Sequence, residues 1–252
     1  MSTLARTVRS DLTESTFDGT AIALDGSGRV LASWGDPDEP LFYRSAIKPI
    51  QATVAQECGA SLNPEQLAIA SSSHGGFPIH IAVVRSMLAE VGLDESALLT
   101  PPSWPLGDAA RDGLAAAGHR HPRPVYHNCS GKHAAWLRAC VAAGWPTDSY
   151  LAPEHPLQLR VLAAVASVVA ADSALAPESS VGVDGCGAPT PRGSARRLAQ
   201  AFARLTVAPR YAAAASAVHR FPSLVADTVS YTHLTLPTIV RECRSRWAPE
   251  RE

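Results

Sequence analysis

Apolar and polar positions alternate along the first part of the chain in the manner of β-strands. The alternation predicts strands at residues 17–24 and 29–34, and the intervening Asp-Gly-Ser-Gly segment at 25–28 has the composition of a tight hairpin turn. Residues 4–10 are a candidate third strand. We therefore expect the chain to begin with a small antiparallel sheet.

From residue 45 onwards the apolar spacing changes to that of amphipathic helices. Between residues 45 and 58 apolar side chains recur at helical intervals, and Gly59 supplies a stop. The same pattern predicts further helices at residues 64–71, 78–91, 108–117, 131–143, 156–171 and 194–205. A short strand is predicted at residues 181–183. This order favours an α/β fold of the layered α+β kind over a regular βαβ alternation.

Composition and charge exclude several classes of protein. The chain has 252 residues, 46% of them hydrophobic, which is enough for one sizeable core. Its 22 basic and 23 acidic residues leave a net charge of −1, so no nucleic acid or membrane partner is expected. We find no signal peptide or membrane-spanning run, which predicts a cytoplasmic protein. Five cysteines, an odd number, argue against a disulfide framework.

Lysine is rare in this chain, and its two occurrences are therefore informative. Lys48 and Lys132 are the only lysines among 22 basic residues. Arginine can replace lysine as a surface cation, but it cannot give up its proton to act as a base or metal ligand. Lys48 follows Ser45 by three residues, so on a helix its amine could take the serine proton, with Arg44 helping to keep that amine uncharged. The alternative is an ordinary helix start with a serine cap.

Two cysteines lie in glycine-containing turns. Cys129 and Cys186 could provide two thiolates, and Lys132 could provide a nitrogen, which together would make a three-ligand zinc site with an open position. Asp184 could then lie behind the ligands. The alternative is a pair of buried structural cysteines. Ser73 precedes a third turn, His-Gly-Gly, which suits either a cavity lining or a flexible surface turn.

Taken together, the segments resemble a known family. Arg-Ser-Ala-Ile-Lys-Pro, Ser-His-Gly-Gly, His-Asn-Cys-Ser-Gly-Lys-His and Asp-Gly-Cys-Gly-Ala-Pro occur in the order and approximate spacing of the bacterial L-asparaginase II family, the zinc-containing rhizobial type. The resemblance covers residues 3–229. It implies a fold similar to serine β-lactamases and penicillin-binding proteins, with helices on an antiparallel sheet. It also implies a homodimeric enzyme that hydrolyses L-asparagine to L-aspartate and ammonia.

The resemblance further implies a role for each residue of these motifs. The catalytic residues would be Ser45, Lys48 and Ser73, the last as the serine of a second serine–lysine pair. The zinc ligands would be Cys129, Lys132 and Cys186. The residues near the substrate or metal would be Arg44, His133 and Asp184.

The chain departs from the family pattern towards its C-terminus. In the family the lysine partner of Ser73 lies further on, and no lysine follows Lys132 here. We expect one incomplete domain at residues 1–229, without its closing strands, and a non-native tail at residues 230–252. Three other interpretations therefore stay open. They are an inactive fragment, a β-lactamase or peptidase that uses the same Ser-x-x-Lys pattern, and a zinc-binding protein without catalysis.

Overall fold

Two separate hairpins open the chain. The computed structural model describes residues 2–169 and 181–225. Strands β1 (Ser2–Arg9) and β2 (Leu12–Gly19) form the first hairpin, and β3 (Ala21–Leu24) and β4 (Val30–Trp34) form the second. Both pairs are antiparallel. The predicted strands at residues 4–10 and 29–34 are thus confirmed.

The predicted strand at residues 17–24 is wrong in extent. Its first residues, up to Gly19, pair with β1, whereas those from Ala21 onwards pair with β4. The start of β2 escapes sequence analysis because nearly all of its side chains are exposed, so no apolar alternation marks it. The turn at residues 25–28 is confirmed: the Gly28 amide donates to the Asp25 carbonyl oxygen at 2.9 Å.

A third sheet joins distant parts of the chain. Strand β5 (Leu41–Phe42) and strand β6 (Val181–Val183) flank β7 (Pro189–Gly193), and both pairings are antiparallel. Only β6 is predicted from sequence, because β5 is two residues long and the two prolines of β7 argue against a strand. This sheet places Arg44, just after β5, beside the turn at residues 184–188.

The described part of the chain contains nine α-helices, of which α6 packs against β7 and α7 against β3. They are α1 (Lys48–Ala55), α2 (Pro64–Ala70), α3 (Pro78–Ala89), α4 (Asp108–Ala116), α5 (Ser130–Ala143), α6 (Pro156–Val169), α7 (Ala195–Val207), α8 (Ala212–Arg220) and α9 (Pro222–Val225). The class is therefore α+β. None of the described helices combines the length and hydropathy that crossing a bilayer would require.

Most of the predicted helices are confirmed to within two residues at each end. The predicted end of α6, residues 170–171, lies outside the described residues. The helix predicted at residues 45–58 is corrected: a 3₁₀ turn (Arg44–Ile47) leads into α1, and a π-helical turn (Gln56–Ala60) follows it. Gly59 ends this run with a positive φ of 93°. Helices α8 and α9 are missed because α8 is rich in alanine, with little apolar contrast, and α9 is a single turn.

Helix α5 lies at the centre of the core. Its residues 130–140 are all buried, and it contacts α1, α2 and α3. Gly131 allows the close approach to α2, since a Cβ at that position would lie 2.7 Å from the Ile69 carbonyl oxygen. Because the first turn of α5 carries Lys132 and His133, the packing of the core fixes where these two side chains point.

Candidate active site

The four sequence motifs meet at one place in the fold. The 3₁₀ turn before α1 brings Lys48 to the loop after α2, where its ammonium contacts Ser73. The first turn of α5 brings Lys132 to Cys186, in the turn between β6 and β7. Arg44 also lies at this site, where it forms an ion pair with Asp184. Residues that are up to 140 positions apart in the sequence therefore line one site.

Lys48 is the most constrained of these side chains. It is 1% exposed, and its Nζ donates to the Ser72 carbonyl at 2.6 Å and to Ser73 Oγ at 2.8 Å, with the Asn128 carbonyl at 3.5 Å. Burial lowers the pKa of Lys48, and the charge of Lys132 adds to this shift, whereas Cys129 and Cys186 oppose it. The uncharged amine that a general base requires is therefore easier to reach than in a solvated lysine.

The hydroxyl that Lys48 contacts in this structure is that of Ser73, not that of Ser45. Ser45 is half-buried at the start of the 3₁₀ turn, where its carbonyl accepts the Lys48 amide. Within residues 2–169 and 181–225 no hydrogen bond joins the Ser45 hydroxyl to the Lys48 amine. The assignment of Ser45 as the nucleophile consequently stays a prediction.

A strained backbone precedes Ser45. Arg44 has a φ of +47°, which is uncommon for a residue with a Cβ. Its amide donates to Thr190 Oγ1 at 3.0 Å and its Nε to Asp184 Oδ1 at 2.9 Å. Burial raises the pKa of Asp184, but hydrogen bonds from the Gly185 amide and from Arg44 outweigh this and leave it below its usual value. Strand β7 and the turn before it thus hold Arg44 in this conformation.

The two thiols lie side by side. Cys129 and Cys186 are 3% and 1% exposed, and both are free. A hydrogen bond from Cys186 lowers the pKa of Cys129 to about 5, against the opposing effect of burial and with further help from the two lysines. The same hydrogen bond raises the pKa of Cys186. The hydrogen bond therefore favours the thiolate form of Cys129 and the protonated form of Cys186.

These side chains also suit a soft metal ion. Lys132 Nζ lies 3.3 Å from Cys186 Sγ and 4.4 Å from the centroid of the Trp136 ring. In the parts of the chain that the structure describes, no three side chains of the His, Cys, Asp and Glu types are placed to hold a metal. A zinc ion here would thus take two cysteine sulfurs and, as its third ligand, a neutral Lys132.

Two buried residues at the site are not found by sequence analysis. Tyr150 is fully buried, and its Oη lies 2.8 Å from Nδ1 of His133. Thr190 supports the backbone of Arg44. Neither belongs to a motif, and both reach the site only through tertiary contacts, so no local pattern could have indicated them.

Helix α9 holds the loop that carries Ser73 from its other side. The Ser72 hydroxyl donates to the Leu224 carbonyl at 3.1 Å. Nδ1 of His80 accepts the Phe77 amide, so its Nε2 carries the proton and donates to the Ser223 carbonyl at 2.7 Å. Two hydrogen bonds therefore link the end of the described chain to this loop and to the helix after it.

A buried lysine amine that contacts a serine hydroxyl is an arrangement that can activate a nucleophile. The sequence profile of the L-asparaginase II family matches residues 5–236. The chain belongs to this family, and thus to hydrolases of the asparaginase kind that act on a small molecule. A comparison with curated proteins finds no match. The predicted tail at residues 230–252 lies outside the described residues.

Proposed function

We propose that this protein hydrolyses the side-chain amide of L-asparagine to L-aspartate and ammonia, using a serine that Lys48 activates. The observation that carries the proposal is the buried Lys48 amine, 2.8 Å from one serine hydroxyl and one helical turn from another. A serine alone is a weak nucleophile, and an adjacent amine with a lowered pKa is what makes it reactive.

In the proposed reaction, neutral Lys48 takes the proton of Ser45 and the Ser45 oxygen attacks the amide carbon. The lysine then returns the proton to the departing nitrogen, and ammonia leaves an acyl-enzyme. Water, deprotonated by the same amine, hydrolyses the ester to release L-aspartate. The guanidinium of Arg44 and the carboxylate of Asp184 suit the charged α-carboxylate and α-ammonium of the substrate.

A second candidate exchanges the two serines. The hydrogen bond between Lys48 and Ser73 favours Ser73 as the hydroxyl that is deprotonated first, because the distance between the two atoms already permits proton transfer. In that arrangement Ser45 would orient the substrate. The substrate and products are the same, and only the serine that carries the acyl group differs.

A zinc ion is part of the proposal because the donor set fits it. Cys129, Lys132 and Cys186 would hold the ion, and His133 would lie beside it. A bound zinc would supply a fixed positive charge that orders the pocket. The likeness to the β-lactamase fold and the homodimer likewise belong to the proposal, on the strength of the sequence motifs. The cytoplasmic location is also proposed, from the distribution of apolar residues along the sequence.

The test compares Ser45→Ala and Ser73→Ala in the full-length chain, with Ser86→Ala as the matched control. The Ser86 hydroxyl donates only within its own helix, to the Val83 carbonyl. Removal of the nucleophile should lower the rate of ammonia release from L-asparagine by about 1,000-fold or more, while the control keeps the parent rate.

Intact-mass analysis of quenched reactions, followed by peptide mapping, then shows which serine carries the acyl group. An adduct on Ser45 supports the first arrangement and one on Ser73 the second. Undiminished ammonia release in both alanine variants would reject the serine mechanism. Acylation by a β-lactam without ammonia release from asparagine would favour the β-lactamase interpretation instead.

A further inference from the structure

The proton positions around His133 can be worked out from its neighbours. His133 and Tyr150 are both fully buried, and Nδ1 of the imidazole lies 2.8 Å from the Tyr150 Oη. The amide of Leu99 donates to that same oxygen at 3.0 Å. Tyr150 therefore links the backbone at residue 99 to the imidazole.

Hydrogen-bond satisfaction then selects one tautomer. The Tyr150 hydroxyl has a single proton, and the Leu99 amide already occupies one of its lone pairs. In the described part of the chain, Nδ1 of His133 is the acceptor within reach of that proton. The opposite tautomer would leave a buried hydroxyl without an acceptor, and this arrangement is disfavoured. Nδ1 is thus the acceptor and Nε2 carries the hydrogen.

The Nε2 edge of His133 faces the thiol pair. Among the described residues this buried nitrogen has no hydrogen-bond partner of good geometry. The side chain with which it interacts at this edge is that of Cys186. The atom next to this edge is therefore the Cys186 sulfur.

We propose that Tyr150 is a positioning residue that holds His133 as the Nε2–H tautomer, so that His133 donates a hydrogen bond to the Cys186 sulfur and does not itself bind the metal. The inference rests on the thiol site proposed above. A nitrogen that carries a proton cannot ligate a metal ion, whereas it can stabilise a thiolate ligand.

The first test reads the tautomer directly in the full-length chain without added metal. Long-range ¹H–¹⁵N spectra distinguish Nδ1–H from Nε2–H imidazoles, and the His133→Gln variant identifies the His133 signals by their loss. The expected result is an Nε2–H imidazole in the parent protein. An Nδ1–H imidazole there would overturn the proposal.

The second test removes the hydroxyl that sets the tautomer. Tyr150→Phe should convert His133 to a mixture of tautomers. Tyr211→Phe is the control, because it also removes a buried hydroxyl, but one without a hydrogen-bond partner among the described residues. This control should leave the His133 tautomer unchanged. Competition with a chromogenic zinc chelator should show about 10–100-fold weaker zinc binding in Tyr150→Phe and parent affinity in Tyr211→Phe.

His133→Gln provides a rescue experiment, because its amide can present an N–H close to the position of Nε2. It should keep more zinc affinity than His133→Leu. Equal affinities in these two variants would overturn the donor role. If the parent chain binds no zinc but shows the predicted tautomer, the metal site of the proposed function fails while the tautomer assignment stands.

Discussion

Gly193 offers a direct test of how the β7 strand supports the turn before Ser45. A Cβ at residue 193 would lie 1.8 Å from Oη of Tyr43 and 2.2 Å from its Cζ, well inside van der Waals contact. Tyr43 is 3% exposed, so its ring cannot move into solvent. The Tyr43 hydroxyl oxygen also accepts a hydrogen bond from the Ser194 amide at 3.2 Å, and a shifted ring would lose this bond.

The expected cost of Gly193→Ala follows from these contacts. Overpacking costs about 1–3 kcal/mol and the lost hydrogen bond about 1 kcal/mol, so the free energy of unfolding should fall by about 2–4 kcal/mol. For a chain of this size that lowers Tm by roughly 4–16 °C. Because Tyr43 directly precedes Arg44, ammonia release should fall as well.

The matched control is Gly113→Ala in helix α4. A Cβ at residue 113 meets nothing within 4 Å. Alanine there should therefore raise the free energy of unfolding by about 0.5–1 kcal/mol, because it has a better helix propensity than glycine. Thermal unfolding followed by circular dichroism measures both variants. Equal Tm values for the Gly193 and Gly113 variants would refute the argument that the Tyr43 ring closes this position.

Two further predictions concern the catalytic side. Burial lowers the pKa of Lys48, so kcat/KM for ammonia release should rise with pH through an apparent pKa below the ordinary value of 10.5. At lower pH the lysine gains its proton and activity should be lost. An acid limb centred at or above 10.5 would contradict the role of Lys48 as base. Thr190→Val removes the acceptor of the Arg44 amide, which should cost about 1–2 kcal/mol of stability and reduce kcat/KM. Thr190→Ser keeps the acceptor and should retain both, so equally active Val and Ser variants would argue against this support.

Sequence analysis succeeds where a local pattern carries the information. Helices α2 and α5, which lead to Ser73 and carry Lys132, are predicted to within one residue at each end because their apolar spacing is clear. The lysine scarcity and the glycine-flanked cysteines likewise lead to Lys48, Lys132 and the two thiols, which the structure brings together.

Sequence analysis fails where a contact is purely tertiary. Strand β5 is too short for any periodicity, and β7 contains prolines, yet their pairing aligns Arg44 with Asp184. The helical spacing between residues 45 and 48 indicates a possible contact, but it does not reveal that the loop after α2 supplies another hydroxyl at hydrogen-bond distance. Sequence analysis misses Tyr150 for the same reason, because Tyr150 lies in the loop after α5 and its partner His133 lies in the first turn of that helix.

Ser72 and His80 both form hydrogen bonds to α9, at the end of the described chain. Through these bonds α9 can affect the active site, although it lies far from Ser73 in the sequence. Trimming the protein from Pro222 onwards would remove both carbonyl acceptors at once. The Ser72 hydroxyl would keep the Ile69 carbonyl, which lies 2.9 Å away, but its link to α9 would be lost. Such a cut would spare most of the core around α5, yet it would remove one support of the loop that carries Ser73 to Lys48. Damage to the C-terminal region would then show as lost turnover before it showed as unfolding.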